Sequence, residues 1–411
     1  MKLPKSKLIA DKLISIGGSK SISNRLIVLE KIFGNLFLTN VSNSQDTELL
    51  TKAVNSENEI IDIHHAGTAM RFLTSYFAIQ YGTTTILTGS DRMKERPIAP
   101  LVNALRDLGA DIEYLENEGF PPLKIKGKHL TKNFVQISGN ISSQFITSLL
   151  LIGGKLENGL TIEIHGEITS LPYLKMTLKI LSALQIKNEM VDKTIFISKF
   201  EEATIESKLR CYEIESDWTS ASYFYSLAAI GREVINIKTF RSHSLQGDSI
   251  LKELYWNYFG VNTISDQSEG KTSLLPDSNF VFPENIEVDM NSCPDIAQTL
   301  CVTAASLKIP FSITGLATLK VKETDRLIAL QNELKKIGCI TEITENSIKS
   351  VSFEEANENI SIKTYNDHRM AMAFAPFCLI KELEIENADV VAKSFPNFWE
   401  DFFEICTPIE Y

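Results

Sequence analysis

Six times along this chain, a short polar segment runs into a helix-forming stretch of small apolar residues. The segments are 21–25, 66–71, 142–144, 216–220, 295–298 and 366–369. From the second onward they recur at intervals of about 75 residues, longer than the common solenoid units. A helix that ends in glycine and is followed by a strand keeps similar time around Gly109, Gly260 and Gly338, with Gln185-Ile186 as a weaker copy lacking the glycine. Alternating runs at 123–126, 160–165, 194–198 and 234–238 read as strands between the helices. Chance recurrence in any α/β chain is the competing account. The regular spacing favours one helix–strand unit used several times, so the fold class is α/β.

Composition narrows the function. The 411 residues suffice for two or more domains. A net charge of −11 argues against a general nucleic-acid or anionic-membrane binder. Any anion site must therefore be a local basic cluster. The cysteines at 211, 293, 301, 339, 378 and 406 show no CxxC spacing, which predicts reduced thiols in a cytoplasmic protein and no zinc site. There is no HExxH, no apolar run long enough to span a membrane, and no signal-peptide core at the N-terminus. The polar stretch 265–278 reads as a surface hairpin or loop, not a flexible linker.

Five stretches suit the chemistry of anions. In Gly17-Gly18-Ser19-Lys20-Ser21, the glycines let backbone approach a ligand, Ser19 or Ser21 can cap a helix, and Lys20 and Arg25 flank the helix start. The residue before Lys20 is serine, so this is no nucleotide P-loop. Gly67 and Arg71 sit on a second helix start. Pro97 disfavours helix just before it, which predicts a constrained loop carrying Arg92, Lys94 and Arg96. Lys322, Glu323 and Arg326 precede an apolar run, and Asp367, His368 and Arg369 open another, with Lys393 as a further candidate. Asp295, after Pro294, reads most simply as a helix N-cap. Each charge run alone would form a solvated face. Their recurrence at helix starts points instead to a substrate bearing several anionic groups.

Six collinear stretches between about residues 17 and 396 resemble the 5-enolpyruvylshikimate-3-phosphate synthase family. They are 18–25, 66–71, 92–98, 142–144, 321–326 and 365–372. The resemblance implies two similar domains, each of three βαβαββ units, with the active site in the cleft between them. The domain boundaries are expected at 19–213 for the first and at 1–18 with 214–411 for the second. The implied reaction transfers the enolpyruvyl group of phosphoenolpyruvate to the 5-hydroxyl of shikimate 3-phosphate. By motif position Asp295 is the implied base and Glu323 the proton donor, while Lys20 bridges both substrates. Ser21, Arg25, Ser142, Ser143, Ser170 and Lys322 are implied to hold shikimate 3-phosphate, with Gln144 shared. Gly67, Arg96, Arg326, Arg369 and Lys393 are implied to hold phosphoenolpyruvate.

No metal or organic cofactor is implied, and a monomer with no nucleic-acid or membrane partner is expected. The family is inhibited by glyphosate at the phosphoenolpyruvate site. Four positions depart from its usual pattern: Gly17 and Phe72 where proline is usual, and His65 and Thr318 where asparagine is usual. Two alternatives are a sister enzyme acting on UDP-N-acetylglucosamine and a non-catalytic anion-binding module. The first commonly carries a cysteine on the stretch matching 90–98, and this chain has none there. The presence of both Asp295 and Glu323 argues against the second.

Overall fold

The structure is a computed structural model that describes every residue except 141, 202–209, 239, 242, 267, 269, 410 and 411. The chain forms two compact units. A terminal unit comprises Met1–Ser19 and Glu215–Tyr411, and an inserted unit comprises Lys20–Ile214.

The repeat seen in the sequence is a βαβαββ element. In the inserted unit one copy runs through strand Ile60–Asp62, helix Gly67–Ala78, strand Thr84–Thr88, helix Ala99–Asp107 and strands Asp111–Tyr114 and Leu123–Lys126. The next has strands Phe134–Ser138, Leu160–His165, Asn188–Val191 and Thr194–Ile197, with helices Ser143–Gly153 and Leu171–Ala183 between them. The terminal unit holds two more complete copies, starting from strands Leu13–Ile14 and Ile286–Asp289. In all four sheets the strand order is first, second, fourth, third. The first two strands are parallel, because the helix between them carries the chain back to the same end, and the last two form an antiparallel hairpin.

The third copy in each unit draws on distant segments. Leu36–Thr39 pairs with Arg210–Glu213, flanked by helices Lys20–Phe33 and Gln45–Val54. Ser361–Ile362 and Leu383–Ile385 are completed by Lys2–Leu3, and Ser6–Leu8 pairs with Cys406–Pro408.

Three helices form the centre of each unit. Lys20–Phe33, Gly67–Ala78 and Ser143–Gly153 pack on one another, as do Trp218–Gly231, Ala297–Ser306 and His368–Phe374. They are buried on nearly every face, which explains their apolar, small-residue composition. Their few polar side chains bond across the helix pairs: Ser75 to Ser148 at 2.6 Å, Ser222 to Thr299 at 3.1 Å and Thr303 to Ser226 at 2.8 Å. Outer helices are half exposed and amphipathic; Arg326–Lys336 buries Leu327, Leu330 and Leu334 on one stripe.

Helix-ending glycines take positive φ, +65° at Gly260 and +84° at Gly338, where a side chain would be strained. Gln185 adopts φ +64° in the copy that lacks the glycine, so the turn survives there in a less favoured residue. The 265–278 reading resolves as part of a hairpin, with Val261–Asp266 paired to Lys271–Pro276; positions 267 and 269 between them lie outside the described residues.

Two local expectations are corrected. The segment carrying Arg92 and Lys94 is a short helix, Asp91–Lys94, capped by Ser90, whose side chain accepts from the Met93 amide; Pro97 acts only after the chain has turned. Asp295 is not an N-cap. It lies within a 3₁₀ turn, Pro294–Ile296, and helix Ala297–Ser306 begins without a side-chain cap. Its carboxylate is committed to cations instead. Among the described residues no helix is long and apolar enough to cross a membrane, and no His/Cys/Asp/Glu cluster could hold a metal.

Candidate active site

In the terminal unit, helix starts and the turns beside them bring seven charged residues together. Asp295 is bonded by Arg326 Nη1 at 3.1 Å, by Arg369 Nη2 at 3.2 Å and by Lys322 Nζ at 3.4 Å. Arg369 Nη1 also donates to the Asp295 carbonyl at 2.9 Å. Glu323 accepts from Lys393 Nζ at 2.6 Å and from Arg326 Nη2 at 2.8 Å. Arg326 completes its fork on Asp367, with Nε at 2.6 Å and Nη2 at 3.4 Å. One guanidinium therefore links three carboxylates, a geometry that the planar five-donor fork allows and an ammonium could not.

Burial is graded across this network. Arg326 is 2% exposed, whereas Asp295 and Glu323 keep 18% and 15%, so the two carboxylates remain reachable by a ligand while the guanidinium that joins them is enclosed. Burial acts against the charge on Arg326, but the Asp367 and Glu323 carboxylates outweigh it and hold its pKa above the ordinary value. Burial dominates at Lys322, whose pKa is lowered despite the neighbouring Asp295. Four cations against three carboxylates leave the cluster net positive, suited to an anion, while each acid already has a hydrogen-bonded partner for its charged form.

The local frame explains how these residues are held. Asp325 caps helix Arg326–Lys336 by accepting from the Leu327 and Ile328 amides, which places Arg326 at the helix start. Asp367 caps helix His368–Phe374 through the Arg369 amide at 2.9 Å while also bonding Arg326. Lys393 ends the 3₁₀ turn Ala388–Lys393. Gln298 and Met370, in the first turns of two central helices, touch at 3.0 Å, so these helix starts are adjacent.

The inserted unit has a different set. Helix Lys20–Phe33 begins directly after Ser19; Lys20 pairs with Asp46 at 3.1 Å, and Ser21 offers its carbonyl to Arg25 Nη1 at 2.6 Å. Arg25 Nε donates to Thr177 at 2.7 Å, and the guanidinium lies over the rings of Phe72 and Tyr173, 5.5 and 5.9 Å from their centroids. Burial lowers the Arg25 pKa to about 10, so it stays charged at neutral pH. Phe72, the departure from proline, is thus a wall of the Arg25 site. Ser142 caps helix Ser143–Gly153, and Gln144 donates to Thr68 at 3.3 Å, joining two helix starts. Ser170 sits just before helix Leu171–Ala183 in a left-handed conformation, φ +55°, without a side-chain cap bond. Arg96 is buried against Gly67, where an added Cβ would lie 2.5 Å from Arg96 Nη1 and 3.1 Å from Arg71 Nη1.

The terminal unit thus brings together Asp295, Lys322, Glu323, Arg326, Arg369 and Lys393. The inserted unit gathers Gly67 with Arg96, Gln144 with the helix start at Gly67, and Arg25 with Ser21. Sequence reasoning assigned no role to Asp46, Thr177 or Asp367. Asp367 lay inside a recognised stretch, and its position before a helix was a usable capping signal. Thr177 lies 152 residues from Arg25 and had no local signal. Of the other departures, His65 Nδ1 bonds the Ser90 hydroxyl at 2.7 Å, tying it to the cap of the Asp91–Lys94 helix, and the Thr318 hydroxyl is buried without a hydrogen bond.

A family model of EPSP synthase (3-phosphoshikimate 1-carboxyvinyltransferase) matches residues 47–402. A 3-phosphoshikimate 1-carboxyvinyltransferase of Bacteroides fragilis (strain YCH46) is 42% identical over 396 residues, covering 94% of this chain and 93% of that protein. One from Haemophilus influenzae (strain PittGG) is 36% identical, covering 96% of each chain. An EPSP synthase structure from Acinetobacter baumannii superposes with a TM-score of 0.74 at 20% identity, over 100% of this chain and 98% of that one, which shows a shared fold. With a model match across most of its length and full-length relatives above a third identity, this chain belongs to the EPSP synthase family.

Proposed function

We propose that the chain transfers the enolpyruvyl group of phosphoenolpyruvate to the 5-hydroxyl of shikimate 3-phosphate and releases inorganic phosphate. It is a transferase of the shikimate route to chorismate and the aromatic amino acids, as its family is. The observation that carries the reading is the pair of carboxylates, Asp295 and Glu323, joined through Arg326 and flanked by Lys322, Arg369 and Lys393.

The chemistry accounts for the pair. For the hydroxyl oxygen to bond the substituted alkene carbon, its proton must leave and the π electrons must move to the methylene carbon, which takes up a proton. Expulsion of phosphate then restores the double bond as a proton leaves that methyl carbon. The sequence needs one group at the hydroxyl and one at the methylene carbon, with cations on the carboxylate and the departing phosphate. Asp295 serves the hydroxyl. Glu323, paired with Lys393, exchanges the proton at carbon. Lys20 bridges the two substrates. Arg326, Arg369, Lys393, Arg96 and Gly67 hold phosphoenolpyruvate, and Ser21, Arg25, Ser142, Ser143, Ser170, Lys322 and Gln144 hold shikimate 3-phosphate.

The two units correspond in this reading to the two enolpyruvyl transferase domains. The chain acts as a cytoplasmic monomer without nucleic acid, membrane or cofactor, a reading supported by its acidic charge and free thiols. Phosphate release, measured with phosphoenolpyruvate and either shikimate 3-phosphate or UDP-N-acetylglucosamine, tests the function. Turnover is expected with the first acceptor alone. Turnover with only the second, or with neither, overturns the reading.

A further inference from the structure

The segment that carries Asp367 and Arg369 enters its helix through a costly turn. Tyr365 and Asn366 both have positive φ, +53° and +55°, and the Asp367 amide closes the turn on the Thr364 carbonyl at 2.8 Å. Two central residues of positive φ suit Asn-Gly; a tyrosine at the first is disfavoured by its own Cβ. A conformation of this kind persists only where its surroundings impose it.

Glu333 imposes it. This carboxylate is fully buried on helix Arg326–Lys336, two turns beyond Arg326. It accepts the Tyr365 hydroxyl at 2.8 Å, the Lys363 amide at 2.9 Å and Lys336 Nζ at 2.6 Å. The same helix thus grips the 363–369 segment twice, at its far end through Glu333 and at its near end through the Arg326–Asp367 fork. Glu333 contacts none of the proposed substrate-binding groups, so its cost of burial is unexplained by them.

We propose that Glu333 and Tyr365 form a positioning clamp that fixes Arg326 and Arg369 in mutual register for phosphoenolpyruvate. A loosened turn lets the Asp367 cap move, and with it both guanidinium groups. The inference rests on the assignment of Arg326 and Arg369 to phosphoenolpyruvate given above. It adds two residues outside the binding set, one of them chosen against local backbone preference.

Steady-state kinetics of Tyr365→Phe tests it, since the ring is kept and only the hydroxyl is lost. The lost hydrogen bond reaches the guanidinium groups only through the turn, so it predicts a rise of about 3- to 10-fold in KM for phosphoenolpyruvate, with a smaller fall in kcat and a KM for shikimate 3-phosphate changed less than about twofold. Glu333→Ala should produce the same selective rise, Glu333→Gln should partly rescue it, and adding Tyr365→Phe to Glu333→Ala should cost nothing more. If Glu333→Ala does not fold, Tyr365→Phe, with its fold checked by circular dichroism, decides alone. An unchanged KM for phosphoenolpyruvate in folded Tyr365→Phe, or an equal loss in all three constants, overturns the clamp. Arg369→Lys, run in parallel, separates the two layers. If it raises KM for phosphoenolpyruvate and Tyr365→Phe does not, the clamp fails; if Arg369→Lys itself leaves that KM unchanged, the site assignment fails and the clamp with it.

Discussion

The two units repeat one architecture and charge it differently. Each has βαβαββ copies around three buried helices, and in each the first turns of those helices carry the polar residues. In the terminal unit these turns and their neighbours hold three carboxylates and four cations in one connected network. In the inserted unit the corresponding positions hold one ion pair, Lys20 with Asp46, together with hydroxyls, an amide and a glycine beside Arg96, and Arg25 is enclosed by a hydroxyl, a carbonyl and two aromatic rings. The fold supplies helix starts, which favour anions wherever they occur. Side chains then decide whether such a place only binds or also moves protons. Carboxylates are tolerated beside an anion site only where guanidinium and ammonium groups offset them, because an uncompensated buried charge is strongly destabilising. On the roles proposed above, proton transfer falls to the terminal unit, and anchoring, with Lys20 bridging the substrates, to the inserted one.

The largest test of this division is removal of the acids. Glu323→Gln and Asp295→Asn are each expected to lower kcat by about 10²- to 10⁴-fold. Calorimetric binding of shikimate 3-phosphate should persist, since the changes remove negative charge near an anion. Near-normal turnover in either variant would erase the distinction between the units. A change at the anchoring end should act on binding. Arg25→Lys keeps the charge but loses the Nε donor to Thr177, and should raise KM for shikimate 3-phosphate by on the order of 10- to 100-fold with a smaller effect on kcat. A fall confined to kcat would reverse the roles.

The cost of buried charge in the terminal unit can be measured separately. Asp248 is 2% exposed, bonded by the Thr219 hydroxyl, and its pKa is raised from 3.8 to about 6, first by burial and then by the Asp295 charge. A carboxyl raised on folding contributes stability that is fully present below pH 3.8 and is lost as pH rises through about 6. Denaturant unfolding at pH 4 and pH 7 should therefore show Asp248→Asn gaining ~2 kcal/mol on the parent protein over that range. A difference that does not vary with pH would mean that Asp248 is not held against its charge.

The smallest expected effect concerns the glycine of the inserted unit. Gly67→Ala puts a methyl against the end of Arg96, a flexible group that can shift. Its cost, on the order of 1–3 kcal/mol as overpacking, should fall more on glyphosate inhibition than on KM for phosphoenolpyruvate. Equal inhibition of both forms would show that Gly67 does not shape the inhibitor's site.

Much of the site could be read in advance because helix starts are written locally. Glycines, capping residues and basic side chains within a few positions mark where backbone donors will point, and the 75-residue rhythm of those marks revealed the repeated unit. The Asp295 reading failed for the same reason. Locally, an acid after proline looks like a cap, and only its cations, 27, 31 and 74 residues away at Lys322, Arg326 and Arg369, show that it is an ion-pair centre. Arg25 depends likewise on Thr177, and Tyr365 on Glu333.

By itself, then, the sequence determined the α/β class, the repeat, the family and the polar helix starts, since each follows from periodicity or from short collinear stretches. Tertiary structure alone decided which charge meets which, how deeply each is buried, and which buried carboxylates hold a strained turn in place. Those outcomes depend on separations of tens to hundreds of residues along the chain, across which electrostatics and packing act only after the sheets and helices have closed.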